Sequence, residues 1–143
     1  MTDMITDRRN QIARLVDFIR PMDQVECPVT HRFSPGLYLR EILIPKGTLI
    51  IGKIHATEHF NIILQGEVTV VTALEKKRLK APCTFTSKAG EQKVVYAHSD
   101  CIWQTTHVTE ETDLARIEEE VIVESYDQLE VDGLLAKLEE DAA

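Results

Sequence analysis

Gly52-Lys53-Ile54-His55-Ala56-Thr57-Glu58-His59-Phe60-Asn61-Ile62-Ile63-Leu64-Gln65-Gly66-Glu67-Val68-Thr69-Val70 is the segment around which the rest of the chain is arranged. Ile62, Ile63 and Leu64 form a short apolar run closed by Gln65-Gly66, and Val68, Val70 and Val71 resume it after the turn. That pattern predicts a half-buried antiparallel hairpin. His55 and His59 enter the hairpin from one side. Imidazole is the commonest protein metal ligand, and two imidazoles a few residues apart, beside Glu58 and Asn61, supply half a coordination shell. The same residues also fit a plainer reading, as polar groups at a strand end that hydrogen-bond their neighbours.

Upstream of the hairpin, Leu37-Tyr38-Leu39-Arg40-Glu41-Ile42-Leu43-Ile44 alternates as a strand, Pro45-Lys46-Gly47 turns, and Thr48 to Gly52 begins the next strand. Residues 22–35, punctuated by Pro28 and Pro35, read as a loop in which His31 is a surface or packing residue. Ile5, Ile12, Leu15, Val16 and Ile19 recur at three- and four-residue steps, so residues 4–20 are predicted to form an amphipathic helix ended by Pro21. Its apolar stripe needs a partner, either the domain's own sheet or a second subunit.

Downstream, the basic run Glu75 to Lys80 reads as a solvated hairpin tip, and residues 81–87, 93–97 and 101–107 read as strands. His98, in a Ser-Asp turn, is expected to be exposed. Trp103, Thr105 and His107 share one face of the last strand, since alternate residues point the same way. If that face is the inner one, His107 joins His55 and His59. From Thr109 the period changes to helical, with Leu114, Ile117 and Val121 in one stripe. A second segment follows with Leu129, Leu134, Leu135 and Leu138 among acids. The organisation expected is therefore an N-terminal helix (1–21), a β-barrel (22–108) and a C-terminal helical segment (109–143) that packs on the barrel or on a partner subunit. Six or more short strands at regular spacing require a small sandwich or barrel.

The chain has 143 residues and a formal net charge of −8, which argues against non-specific attraction to nucleic acid or to anionic membranes. Cys27, Cys83 and Cys101 are odd in number and far apart, as expected for reduced thiols of a cytoplasmic protein. No segment has the length of a membrane span.

The hairpin segment resembles the first motif of the cupin superfamily. There a glycine precedes a His-x-His, a Glu follows four residues after the second His, and a Gly closes the next strand. Anchoring on Gly66 puts His59 at the glutamate, His55 at the second histidine and Lys53 at the first. The second cupin motif, Pro-x-Gly-x-x-His, is matched at Gly90, with Lys88 in place of the proline and Lys93 in place of the histidine. The resemblance implies a mainly β, cupin-type double-stranded β-helix, a jelly-roll barrel with its site in the mouth. Segments from Thr30 to His107 are also similar in texture to small cupin-like proteins encoded in tailed-bacteriophage genomes. That likeness implies a homo-oligomeric protein of the bacterial cytoplasm, either accessory or built into the virion beside other phage structural proteins.

Three functions stay open at this point. Lysine at two cupin histidine positions, with apolar stripes at both ends, favours a non-catalytic binding or assembly module. The alternative is a metal-dependent enzyme of oxygenase, isomerase or sugar-modifying type. It would hold one divalent ion, Fe, Mn, Ni or Zn, on His55, His59 and His107, with Glu58 as a fourth ligand or general base and Asn61, Thr105 and Trp103 lining the ligand site. The third is a metal-free pocket for a small ligand, with Lys53 and Lys93 meeting an anion.

Overall fold

The alternating segments become strands of antiparallel sheets in the computed structural model, which describes residues 2–123. Helix α1 (Thr2–Ile19) comes first. Strands β1 (Val29–Ser34), β2 (Leu37–Ile44), β3 (Leu49–Ile51), β4 (Ile54–His55), β5 (His59–Gln65) and β6 (Glu67–Val71) follow. Then come β7 (Lys76–Lys80), β8 (Cys83–Ser87), β9 (Val94–Ala97), β10 (Cys101–Val108), helix α2 (Leu114–Val121) and β11 (Ile122–Val123). One sheet has the order β1-β2-β10-β5-β8, a second β3-β9-β6-β7, and β11 pairs with β4. The leucine-bearing segment expected after Ser125 lies outside the described residues.

The core forms where the two larger sheets meet. Ile44, Ile63, Cys101 and Trp103 from one sheet pack with Val68, Val70, Val95 and Ala97 from the other. Such β-branched and aromatic side chains suit a pleated, half-buried surface. Along three adjacent strands the inward face then changes character in step. On β2 it runs from Ile44 and Ile42 to Arg40 and Tyr38. On β5 it runs from Ile63 to Asn61 and His59, and on β10 from Cys101 and Trp103 to Thr105 and His107. The register aligns the changes, with Trp103 opposite Ile42, Thr105 opposite both Arg40 and Asn61, and His107 opposite Tyr38. One end of the barrel is therefore apolar, and the other end is polar.

α2 is placed at the polar end. Asp113 caps it by accepting a hydrogen bond from Ala115 N at 2.9 Å, and its buried stripe, Ile117 and Val121, packs on Tyr38. α1 buries Ile5 and Ile12 within the single chain, and Arg8 Nη1 donates to Ala73 O at 3.3 Å. Leu15, Val16 and Ile19 of the same stripe are only partly buried.

Four sequence expectations change. The segment 59–71 is not a hairpin, because β5 pairs with β8 and β10 in one sheet and β6 with β7 and β9 in the other, so the turn at Gly66 crosses between sheets. Residues 29–34 are not loop but strand β1, paired along its length with β2. Its polar sequence, Thr30-His31-Arg32, hides it because this edge strand is exposed on nearly every position. The basic run is likewise strand β7, paired with β6 at a sheet edge. Lysines there are what blunts an edge against further strand pairing, which is why composition makes it resemble a tip. His98 is partly buried, its Nε2 2.7 Å from Thr69 Oγ1.

Candidate metal centre

His55, His59 and His107 converge at the polar end of the barrel. Each reaches it by a different local cause. His59 and His107 are inward-facing positions of β5 and β10. His55 sits on the two-residue strand β4, whose backbone is held on both sides. Its N–H donates to Glu91 O at 3.1 Å and its carbonyl accepts from Gly90 N at 2.7 Å. The next residue, Ala56, donates to Val121 O at 2.6 Å. Ring centroids are 4.3 Å apart for His55 and His59, 4.8 Å for His59 and His107, and 5.6 Å for His55 and His107. One ring nitrogen from each lies within 4.8 Å of the others.

The hydrogen bonds of the outer nitrogens orient the inner ones. His59 Nδ1 donates to Thr57 O at 3.1 Å, which leaves the lone pair on Nε2 directed inward. His107 Nε2 is 3.1 Å from Thr105 Oγ1, so its Nδ1 faces the cluster. His59 Nε2, His107 Nδ1 and His55 Nδ1 are buried without a hydrogen-bond partner. Burial is the main cause that lowers all three imidazoles, His55 to about 2 and His59 and His107 to about 4, helped by the charges of Lys93 and Arg40 and by one another. The cluster is neutral at pH 7. Three neutral, converging, unpartnered imidazole nitrogens are a donor set that fits a divalent transition-metal ion. Metal–nitrogen bonds of about 2.0–2.1 Å would draw the rings together.

A cavity of about 540 Å³ adjoins the cluster. Its lining includes His55, Asn61, Lys93, Trp103, Thr105 and His107, together with Leu114, Ile117, Glu118 and Val121 of α2. The helix therefore lies along the cavity rather than beside the barrel. Lys53, exposed at the rim, forms an ion pair with Glu118. Glu58 is exposed and outside the cavity lining.

Asn61 lines the cavity but its amide is engaged in the wall. The residue is fully buried, its Oδ1 accepts from Trp103 Nε1 at 3.1 Å, and its Nδ2 donates to Ser87 Oγ at 2.8 Å. Replacing it by a leucine of similar size strands both partners. Asn61→Leu is expected to cost about 2–4 kcal/mol in urea unfolding, since each buried group left unpaired costs about 1–3 kcal/mol. A loss below about 1 kcal/mol would show that the triad adjusts without it.

Tyr38, Arg40 and His31 also line the cavity, and sequence reasoning passed over them. Tyr38 stacks on His107 with ring centroids 5.8 Å apart, and its hydroxyl is 2.6 Å from His31 Nδ1. The available signal was alternation: Tyr38, Arg40, Ile42 and Ile44 occupy one face of β2, so Arg40 faces inward whenever Ile44 does.

The fold and the site together define a cupin-type double-stranded β-helix with a three-histidine cluster in its mouth. The solved structures it resembles in fold include cupin proteins. A cupin superfamily protein from Desulfitobacterium hafniense superposes with a TM-score of 0.52 at 11% identity, over 60% of this chain and 80% of that one. A variant of salicylate 1,2-dioxygenase from Pseudoaminobacter salicylatoxidans gives 0.55 at 15% identity, over 80% of this chain and 34% of that one. An acetylacetone dioxygenase from Acinetobacter johnsonii gives 0.51 at 14%, over 59% and 61%. No family model and no curated protein matches the sequence. No helix among the described residues is long and apolar enough to cross a membrane.

Proposed function

We propose that this chain is a metal-dependent cupin enzyme in which His55, His59 and His107 hold one divalent transition-metal ion beside a cavity that admits a small organic substrate. The observation that carries this is the convergence of three buried ring nitrogens that have no other partner. A buried polar atom left unpaired is costly, and such groups in a folded protein call for a reason. An ion bound there would polarise a substrate oxygen or activate water. The chain's own contribution is orientation and enclosure. Thr57 O and Thr105 hold two of the rings, the Asn61–Trp103–Ser87 triad stiffens the wall, and α2 covers one side with Ile117 and Val121.

Dioxygenase chemistry is the first activity to screen, because two of the structural neighbours are dioxygenases and three imidazoles leave coordination positions open. Isomerisation and sugar modification follow. The competing reading is a homo-oligomeric phage assembly module that uses the barrel as scaffold. It draws on Lys53 and Lys93 at cupin histidine positions, but a cavity within the usual range of about 300–1,000 Å³ for ligand pockets favours a ligand.

Elemental analysis of tag-free protein tests the choice. Near one equivalent of metal per chain is expected, falling below about a tenth in His107→Ala. Substoichiometric metal in both proteins, after exposure to Fe, Mn, Ni and Zn, would return the barrel to the scaffold reading.

A further inference from the structure

The cavity carries two cations for which the metal cluster gives no use. Arg40 follows Tyr38 and precedes Ile42 on the inward face of β2. Lys93 precedes β9 and shares the face of Val95 and Ala97, both of which are in the core. It is 8% exposed. Both side chains line the cavity. Neither head group makes a hydrogen bond or an ion pair within 4 Å among the described residues, although the Glu91 charge nearby acts favourably on Lys93. The one carboxylate of the lining, Glu118, is engaged by Lys53 at the rim. A charge held inside a barrel without a hydrogen-bonded partner is unfavourable, and such a group is retained where something else pairs with it.

We infer that Arg40 and Lys93 form an anion-binding pair beside the histidine cluster, and that the ligand of this cavity is a small organic acid held by its carboxylate. The inference rests on reading the cavity as a substrate site and names the class of substrate. Position supports it, because Arg40 on β2 and Lys93 just before β9 line the same cavity as His55 and His107. An anion between them therefore sits next to the cluster. Arginine offers a planar fork that matches a carboxylate, and a buried lysine adds a compact second charge. Away from the cations the lining is aliphatic, with Ile42, Ile44, Ile50 and Val95, which suits an apolar body behind the carboxylate better than a sugar. In a chain of net charge −8 the cavity is a local positive site, so an anion is drawn to it and not to the surrounding surface.

The test uses benzoate as the probe and benzamide as its neutral isostere, titrated calorimetrically into metal-free full-length protein and again after zinc loading. Benzoate is expected to bind the metal-free protein at least about 10-fold more tightly than benzamide. Arg40→Gln and Lys93→Met should each remove about 10-fold or more of that preference while leaving benzamide affinity unchanged. Lys93→Met should also raise the melting temperature of the ligand-free protein by about 3–6 °C, since it removes a buried charge whose desolvation outweighs its attraction to Glu91. Equal binding of the two probes, no binding of benzoate at millimolar concentration, or a lower melting temperature in Lys93→Met would each overturn the inference. The two readings fail separately. Metal without a benzoate preference leaves the metal centre standing and removes the anion pair. A benzoate preference in a protein that takes up no metal does the reverse.

Discussion

Titrated with a divalent transition metal at pH 7, metal-free protein is expected to gain about 10 °C in melting temperature, and His59→Ala is expected to gain almost none. The size follows from linkage. A ligand that binds only the folded state adds about 2.7 kcal/mol at one hundred times its dissociation constant, and for a domain of this size each kcal/mol moves the midpoint by about 3–5 °C. The direction follows from the site. Burial holds His55, His59 and His107 far below the ordinary imidazole range, so at pH 7 no proton has to leave before a metal enters. Their inner nitrogens have no competing hydrogen bond.

His59 is the informative position because its ring is the most firmly oriented of the three by a backbone acceptor, Thr57 O, and lies closer to each of the other rings than they lie to one another. Alanine there should disperse the donor set while leaving β5 paired on both sides. Differential scanning fluorimetry with Fe(II), Mn, Ni and Zn under nitrogen gives the measurement. An equal rise in wild type and His59→Ala would place the bound metal elsewhere on the chain.

The parts of this molecule that were legible in its sequence are those where local pattern and tertiary environment agree. β5 and β6 were readable as two strands because Ile63, Val68 and Val70 alternate into a shared core, but their pairing was not, since the glycine turn carries the chain from one sheet to the other and each strand finds its partners elsewhere. Counting from Trp103 placed His107 on one face with Thr105, whereas which face is the inner one was left open, because that depends on the strands opposite. The misread elements share one physical trait: β1 and β7 are edge strands that lie largely in solvent, so burial imposes no apolar period on them. Arg40 was passed over for a related reason. An inward arginine among Tyr38, Ile42 and Ile44 is unusual only if the position is known to be inward, and the charge reads as surface until then. The stripe of α2 was visible in Leu114, Ile117 and Val121, whereas its destination, along the cavity and against Tyr38, depends on non-local packing that no helical period encodes.

Gly66→Ala is expected to be the most damaging small substitution in the barrel, costing about 2–5 kcal/mol. The residue has φ +98°, a region that costs a side-chain-bearing residue about 1–2 kcal/mol. A methyl group there meets backbone, with Asp100 O 2.5 Å and Cys101 Cα 2.9 Å from the Cβ position, so no flexible side chain can move aside. Overpacking of this kind costs about 1–3 kcal/mol more. The contact is at the entry to β10, which pairs with both β2 and β5 and carries Cys101, Trp103, Thr105 and His107 inward. Displacing it therefore disturbs the apolar core and the histidine cluster together. Gly47→Ala supplies the control. Gly47 has φ +81° but open space around its Cβ position, so it should lose only the conformational part, about 1–2 kcal/mol. Urea unfolding of the two variants separates the contributions, and the difference between them is the steric cost of approaching β10. Metal uptake should fall in Gly66→Ala and stay intact in Gly47→Ala. If the two variants unfold at the same urea concentration, the glycine that joins β5 to β6 is there for its backbone angle alone, and the close packing of the turn on β10 contributes nothing to stability.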